Sequence, residues 1–135
     1  MGTKFTVDHI RPRKRKIARP EQDLQAGLCR FLDRTLPDDC FYFACPNGGW
    51  RSPIEAAIFK GQGVKAGVPD LIFAYQGKMF ALEMKSEKGS LTVSQRGVHD
   101  LLRNAGVRVE VARSFPEAIE RLREFGIPVA GRIAA

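Results

Sequence analysis

The chain is poor in the residues that build several common sites. Its three cysteines (Cys29, Cys40, Cys45) are odd in number and lack CxxC spacing. That excludes a zinc ribbon or a redox pair and leaves free, buried thiols as the expectation. The two histidines, His9 and His99, lie ninety positions apart and form no ligand pair, so neither a zinc centre nor a histidine-activated nucleophile is expected. No apolar run approaches the ~20 residues that span a bilayer. The N-terminus is basic but has no apolar core segment or small-residue cleavage site. These absences point to an intracellular protein with no membrane partner.

What is present fits one domain. The chain has 135 residues, 44% of them hydrophobic, with nine phenylalanines. A chain of this size buries roughly two thirds of the surface its unfolded form exposes. The net charge of +7 is concentrated at one end: Lys4, Arg11, Arg13, Lys14, Arg15, Lys16 and Arg19 against Asp8 give +6 within the first twenty residues. Residues 1–19 read as a basic flexible arm that cannot bury enough apolar surface to fold alone and is suited to a phosphate backbone. Arg13, Lys14, Arg15 and Lys16 are its candidate DNA contacts; a merely solubilising tail is the plainer reading. Residues 20–128 form the expected domain, and 129–135 a short tail.

From Pro20 the pattern is helical. PEQDLQAGLCRFLDRTL places Leu24, Leu28, Phe31 and Leu32 on one stripe, with Pro20 at the entry and Pro37 at the exit. Continuing the stripe backwards reaches Glu21, whose carboxylate then points along the core face; Asp23 is the competing acid. CFYFACP at 40–46 is a short strand ending at the turn Asn47-Gly48-Gly49. Ser52-Pro53-Ile54-Glu55 is a capping box that opens a helix with Ile54, Ala57 and Ile58 as its apolar face. A loop, KGQGVKAGVPD, follows.

Then comes GVPDLIFAYQGKMFALEMK, two apolar runs broken at Gln76-Gly77. A two-residue hairpin loop pairs residues whose numbers sum to 153, so Asp70 faces Glu83, and strand alternation puts Lys85 on the same face. Leu71, Phe73, Phe80, Leu82 and Met84 take the other. Thr92-Val93-Ser94-Gln95 opens a further helix, with Val98, Leu101, Leu102 and Ala105 inward. Val107, Val109 and Val111 alternate as a strand. Ser114-Phe115-Pro116-Glu117 caps a last helix with Ala118, Ile119, Leu122 and Phe125 inward. The order α-β-α-β-β-α-β-α implies an α/β fold whose mixed sheet is covered on both faces.

Carboxylates facing each other across a ladder repel. A hard divalent cation resolves that repulsion, since Mg²⁺ or Mn²⁺ takes a few carboxylate oxygens and keeps positions for water and phosphate. Lys85 could then orient a water or stabilise developing charge. The plainer alternative is a surface ion pair between Glu83 and Lys85.

Gly67-Val68-Pro69-Asp70-Leu71, Glu83-Met84-Lys85 and Gly89-Ser90-Leu91-Thr92 with Gln95 together resemble the PD-(D/E)xK nuclease superfamily, and specifically its virus-type replication-repair nuclease (VRR-NUC) branch. The resemblance runs from Glu21 to about Phe125 and includes Pro46-Asn47-Gly48-Gly49. It implies a restriction-endonuclease-like core and Mg²⁺- or Mn²⁺-dependent cleavage of DNA. By position, it implies that Asp70, Glu83 and Glu21 bind metal, that Lys85 assists the attacking water and that Gln95 supports the site; Gln95 is equally explained as the capping partner of Thr92. Members that stand alone resemble resolvases of four-way (Holliday) junctions, which implies a homodimer because symmetric incision needs two sites. Asn47, Arg51, Lys60, Lys65 and Lys88 are expected to contact substrate phosphates, and Trp50 to pack against a neighbour. Flap cleavage, or DNA binding without cleavage, are the competing functions.

Overall fold

A computed structural model describes residues 19–46 and 50–129. Its elements follow the expected order: α1 (Pro20–Thr35), β1 (Cys40–Ala44), α2 (Pro53–Gly61), β2 (Leu71–Tyr75), β3 (Lys78–Met84), α3 (Val93–Asn104), β4 (Arg108–Ala112) and α4 (Phe115–Glu124). The four strands form one mixed sheet in the order β1-β2-β3-β4. β1 and β2 pair antiparallel, as do β2 and β3, while β3 and β4 are parallel because α3 carries the chain across between them. A parallel pair needs such a crossover, whereas the hairpin needs only two residues.

The hairpin register is the one the two-residue loop dictates, with Leu71 opposite Leu82 and Phe73 opposite Phe80. Gln76 and Gly77 both take positive φ, 50° and 74°. That is the left-handed turn whose twist matches the flanking strands. Leu71, Phe73, Phe80, Leu82 and Met84 therefore share one face, where Leu28 and Leu32 of α1 and Ala118, Ile119 and Leu122 of α4 close the main core. Ser114 caps α4 by accepting a hydrogen bond from the Glu117 amide. Phe80 and Phe125 stack with ring centroids 4.9 Å apart. The Tyr42 hydroxyl bonds to Asp33 and to the Cys29 carbonyl, pinning α1 to β1 and so fixing where Glu21 sits.

The opposite face is covered only in part. Ile72, Ala81 and Val109 pack with Leu102 of α3, but Phe41, Phe43 and Met79 stay exposed. The expectation of a sheet covered on both faces is corrected accordingly, because α3 is a single helix lying over β4 and cannot reach β1. Within α3 the inward residues also differ. Leu101 is 68% exposed and Ala105 is exposed, while His99 is fully buried. The helix turns His99 and Leu102 toward the sheet, and Leu101, one residue away, must then face out.

α2 forms as its capping box requires, with Ser52 accepting from the Glu55 amide and the Glu55 carboxylate accepting from the Ser52 amide. Its apolar face does not find a core: no α2 residue is buried, Ile54 is 75% exposed, Ile58 53%, and Ala57 is exposed. The cap and the local periodicity make the helix; among the described residues none of α2 is buried against the sheet. The cysteines are free as expected, though each is half-buried and not buried.

Candidate active site

β2 and β3 carry the site at the end remote from their hairpin turn. Asp70 immediately precedes β2, Glu83 lies on β3, and Lys85 follows β3 directly. Asp70 Oδ2 accepts a 2.8 Å hydrogen bond from the Met84 amide, and the Asp70 carbonyl accepts one from the Cys45 amide at 2.9 Å. These bonds continue the ladder past the last paired residues and hold Asp70 over the strand that carries Glu83. Glu83 and Lys85 are 1% and 6% exposed, so both charges are set within the fold.

α1 brings the third carboxylate. Glu21 Oε1 accepts from the Ser86 amide at 3.2 Å, a contact across 65 residues of sequence, while Asp23 is exposed to solvent. Glu21, Asp70, Glu83 and Gln95 line one open cleft of about 570 Å³, together with Cys29, Cys45 and Pro46. α3 supplies the support: Gln95 completes the Thr92 capping box, and its Nε2 also donates to Glu83 Oε1 at 3.0 Å. The cap and the site contact are made by one side chain.

The carboxylates burden one another. Burial pushes the Glu83 carboxyl up, the Asp70 charge adds to it against the pull of Lys85, and the result is a pKa of about 8 instead of 4.5. Asp70 is raised as well, first by burial, against the lowering effect of the Met84 amide. Lys85 makes no ion pair and no side-chain hydrogen bond among the described residues.

Two cleft neighbours escaped sequence reasoning. His99, set aside there, places Nε2 3.4 Å from Glu83 Oε2; its spacing of four from Gln95 on one helix was the available signal. Arg113 donates through Nη1 to the Ser86 carbonyl at 2.9 Å and also to the Gly89 carbonyl. It braces the loop that holds Glu21, and nothing local in the sequence marks it, since its partners lie 24 and 27 residues away.

Of the expected phosphate contacts, Arg51, Lys60 and Lys65 are brought together around a cavity of about 410 Å³ beside α2. The Arg51 guanidinium lies 4.4 Å from the Phe59 ring centroid. Lys88 is exposed in the loop after Lys85. Asn47 and the arm residues Arg13, Lys14, Arg15 and Lys16 lie outside the described residues.

Gly67 is the point of closest approach in this assembly. It has φ of 86°, and a Cβ there would sit 2.5 Å from the carbonyl carbon and oxygen of Ser94 and 2.8 Å from the Gln95 nitrogen. The turn before Asp70 and the start of α3 therefore meet backbone to backbone. Gly67→Ala is expected to cost about 2–4 kcal/mol, combining left-handed strain with overpacking. Urea unfolding checks this; a loss below 1 kcal/mol would mean that α3 moves away freely.

A mixed α/β fold thus carries an acidic cleft, with a lysine beside it, at the ends of its central strands. The chain belongs to the VRR-NUC family, a nuclease family: the VRR-NUC domain model matches residues 11–116. The chain is similar to a solved structure described as a VRR_NUC domain protein, at 25% identity and a TM-score of 0.65, covering 80% of this chain and 88% of that one. A second, described as a VRR_NUC domain, is 21% identical with a TM-score of 0.51 over 79% and 97%, and bears on the fold alone. No curated protein matches the chain. Among the described residues no helix is long and apolar enough to cross a membrane.

Proposed function

We propose that this protein is a Mg²⁺- or Mn²⁺-dependent endonuclease that hydrolyses phosphodiesters in branched DNA inside the cell, acting as a resolvase of four-way junctions. The observation that carries the reading is the convergence of Asp70, Glu83 and Glu21 on one cleft, with the buried Lys85 two residues beyond Glu83. Among the described residues no group of three or more histidine, cysteine, aspartate or glutamate side chains is gathered closely enough to hold a metal ion. A hard cation held through one or two carboxylates, with waters at its other positions, does not need such a group. Asp70 and Glu83 would hold the cation, with Glu21 completing the cluster. When bound, the cation would supply Lewis-acid stabilisation of the phosphate and lower the pKa of water at the site.

The chain's own groups do the rest. The Met84 amide fixes Asp70, Gln95 fixes Glu83, and the Ser86 amide fixes Glu21, so the carboxylates need no reorganisation when substrate arrives. Lys85 would orient the attacking water and offset negative charge gathering on the phosphoryl oxygens. Arg51, Lys60, Lys65 and Lys88, with Asn47 and the basic arm, would follow the backbone of the DNA arms.

The dimer that symmetric incision requires is supported by apolar surface left open on α2. Ile54 and Ile58 on the helix, and the 88% exposed Trp50 before it, are left open to solvent. A copy packed there would bring two clefts and two cationic cavities onto one junction.

The deciding assay is cleavage of a labelled four-way junction, a 5′-flap and a linear duplex of matched sequence, with Mg²⁺ and Mn²⁺, by wild type and Lys85→Ala. Paired symmetric cuts in the junction are expected, slowed about 10²–10³-fold by the substitution. Flap cutting alone would keep the chemistry and remove the resolvase reading. Tight DNA binding without cleavage under either metal would make the protein a binding module.

A further inference from the structure

His99 is fully buried, and its only side-chain partner among the described residues is the Glu83 carboxylate, 3.4 Å from Nε2. Its other nitrogen, Nδ1, is buried without a hydrogen-bond partner among the described residues. An imidazole of ordinary packing purpose would be poorly placed here, because leaving a buried polar atom unpaired costs stability that a leucine of similar bulk would not forfeit.

The two ends of the Glu83 carboxylate are gripped from one helix. Gln95 Nε2 donates to Oε1 at 3.0 Å, and His99 stands at Oε2, one helical turn further along α3. With Glu83 ionised, Oε2 can only accept, so the imidazole must carry its proton on Nε2. The unpartnered Nδ1 is then a bare acceptor, which avoids burying an N–H with nothing to receive it.

We propose that His99 is a positioning residue for the nuclease site: through Nε2–H it fixes the rotation of the Glu83 carboxylate, with Gln95 on the other oxygen, so that the remaining lone pairs of Glu83 face the cleft beside Asp70. His99 itself touches neither substrate nor the reacting atoms. The inference rests on the metal-dependent reading of the cleft. Partners that orient a ligating group typically govern metal affinity by about 10–100-fold, and a carboxylate free to rotate about its last torsion would spend part of its time turned away from the cation.

The test is Mn²⁺ titration by calorimetry of the full chain without DNA, for wild type, His99→Leu and His99→Gln, with thermal unfolding in chelator alongside. Gln carries an amide donor of similar reach, and Leu has similar bulk with no donor. His99→Leu is expected to weaken Mn²⁺ binding about 10–100-fold without lowering the chelator-state unfolding temperature, and His99→Gln to remain within a few-fold of wild type. Raising Mn²⁺ should also restore the cleavage rate of His99→Leu, which a lost substrate contact would not permit. If His99→Leu does not fold, His99→Asn, whose amide falls short of Oε2, replaces it with the same expected loss. Wild-type affinity in the donor-less variant, or equal losses in the Gln and Leu variants, would overturn the positioning role while leaving the metal site intact. Absence of Mn²⁺ binding by the wild type would instead remove the metal reading, and this inference with it.

Discussion

Asp70→Asn is expected to lower the rate of DNA cleavage by at least about 10³-fold at saturating Mn²⁺, with the fold preserved. The amide oxygen of Asn keeps the acceptor that the Met84 N–H requires, so the bond at 2.8 Å need not be lost. What disappears is one of the three carboxylates that line the cleft. A bound cation stabilises transition-state charge by several kcal/mol, and about 4 kcal/mol corresponds to the stated factor. Single-turnover cleavage measures the rate, and calorimetry with Mn²⁺ separates lost binding from lost chemistry. A variant that retains cleavage within tenfold would show that Asp70 serves the ladder and not the cation.

A second large effect concerns pH, and its sign is set by which state holds the proton. The Glu83 carboxyl titrates at about 8 in the folded protein against an ordinary 4.5, first because it is buried and next because Asp70 faces it. Between those values the folded chain binds a proton that the unfolded chain releases. Metal-free stability contributed by this group is therefore fully present below about 4.5 and is lost as pH rises through about 8. Asp70, also raised, acts with the same sign. His99 acts with the opposite sign: burial holds its pKa below the ordinary 6.5, so its neutral form is a growing source of stability only as pH rises toward 6.5. The clean window lies between pH 6.5 and 8. There the metal-free protein should lose about 2 kcal/mol, near 1.4 kcal/mol per pH unit for one proton.

Mn²⁺ should abolish that slope, because a cation stabilises the ionised carboxylates, and its own affinity should rise by up to about tenfold per pH unit in the same window. Urea unfolding at three pH values, in chelator and in millimolar Mn²⁺, measures both. A flat or rising stability in chelator across this window would mean that Asp70 and Glu83 are already ionised without a cation. The same series on Asp70→Asn should show a shallower slope, since the charge that helps raise Glu83 is gone.

Much of this site was legible because its determinants are local. Strand alternation put Glu83 and Lys85 on one face regardless of loop type. The two-residue turn at Gln76-Gly77 then set the register that brings Asp70 to Glu83. The stripe Leu24, Leu28, Leu32 separated Glu21 from Asp23, and the capping box at Thr92 placed Gln95 at the first turn of α3. Each of these inferences needs only a periodicity or a hydrogen bond between residues a few positions apart.

The failures share the opposite character. Ile54 and Ile58 look like a core face because helical periodicity describes the helix and says nothing of what lies beneath it. Leu101 faces out, not in as expected, and His99 faces in because the roll of α3 is set by contact with the sheet and with Gly67, where the two backbones meet. Arg113 reaches the loop at Ser86 and Gly89 only after β4 has paired with β3.

The sequence by itself determined the element order, the hairpin register and the identity of the carboxylates and lysine at the cleft, since period, caps and turn chemistry act over a few residues. Only the tertiary structure decided that His99 is buried against Glu83, that Arg113 braces the loop holding Glu21, and that α2 and the Phe41–Phe43 edge remain open. Those outcomes depend on how helices roll and dock onto a twisted sheet, a balance of packing over the whole domain that no short window of residues contains.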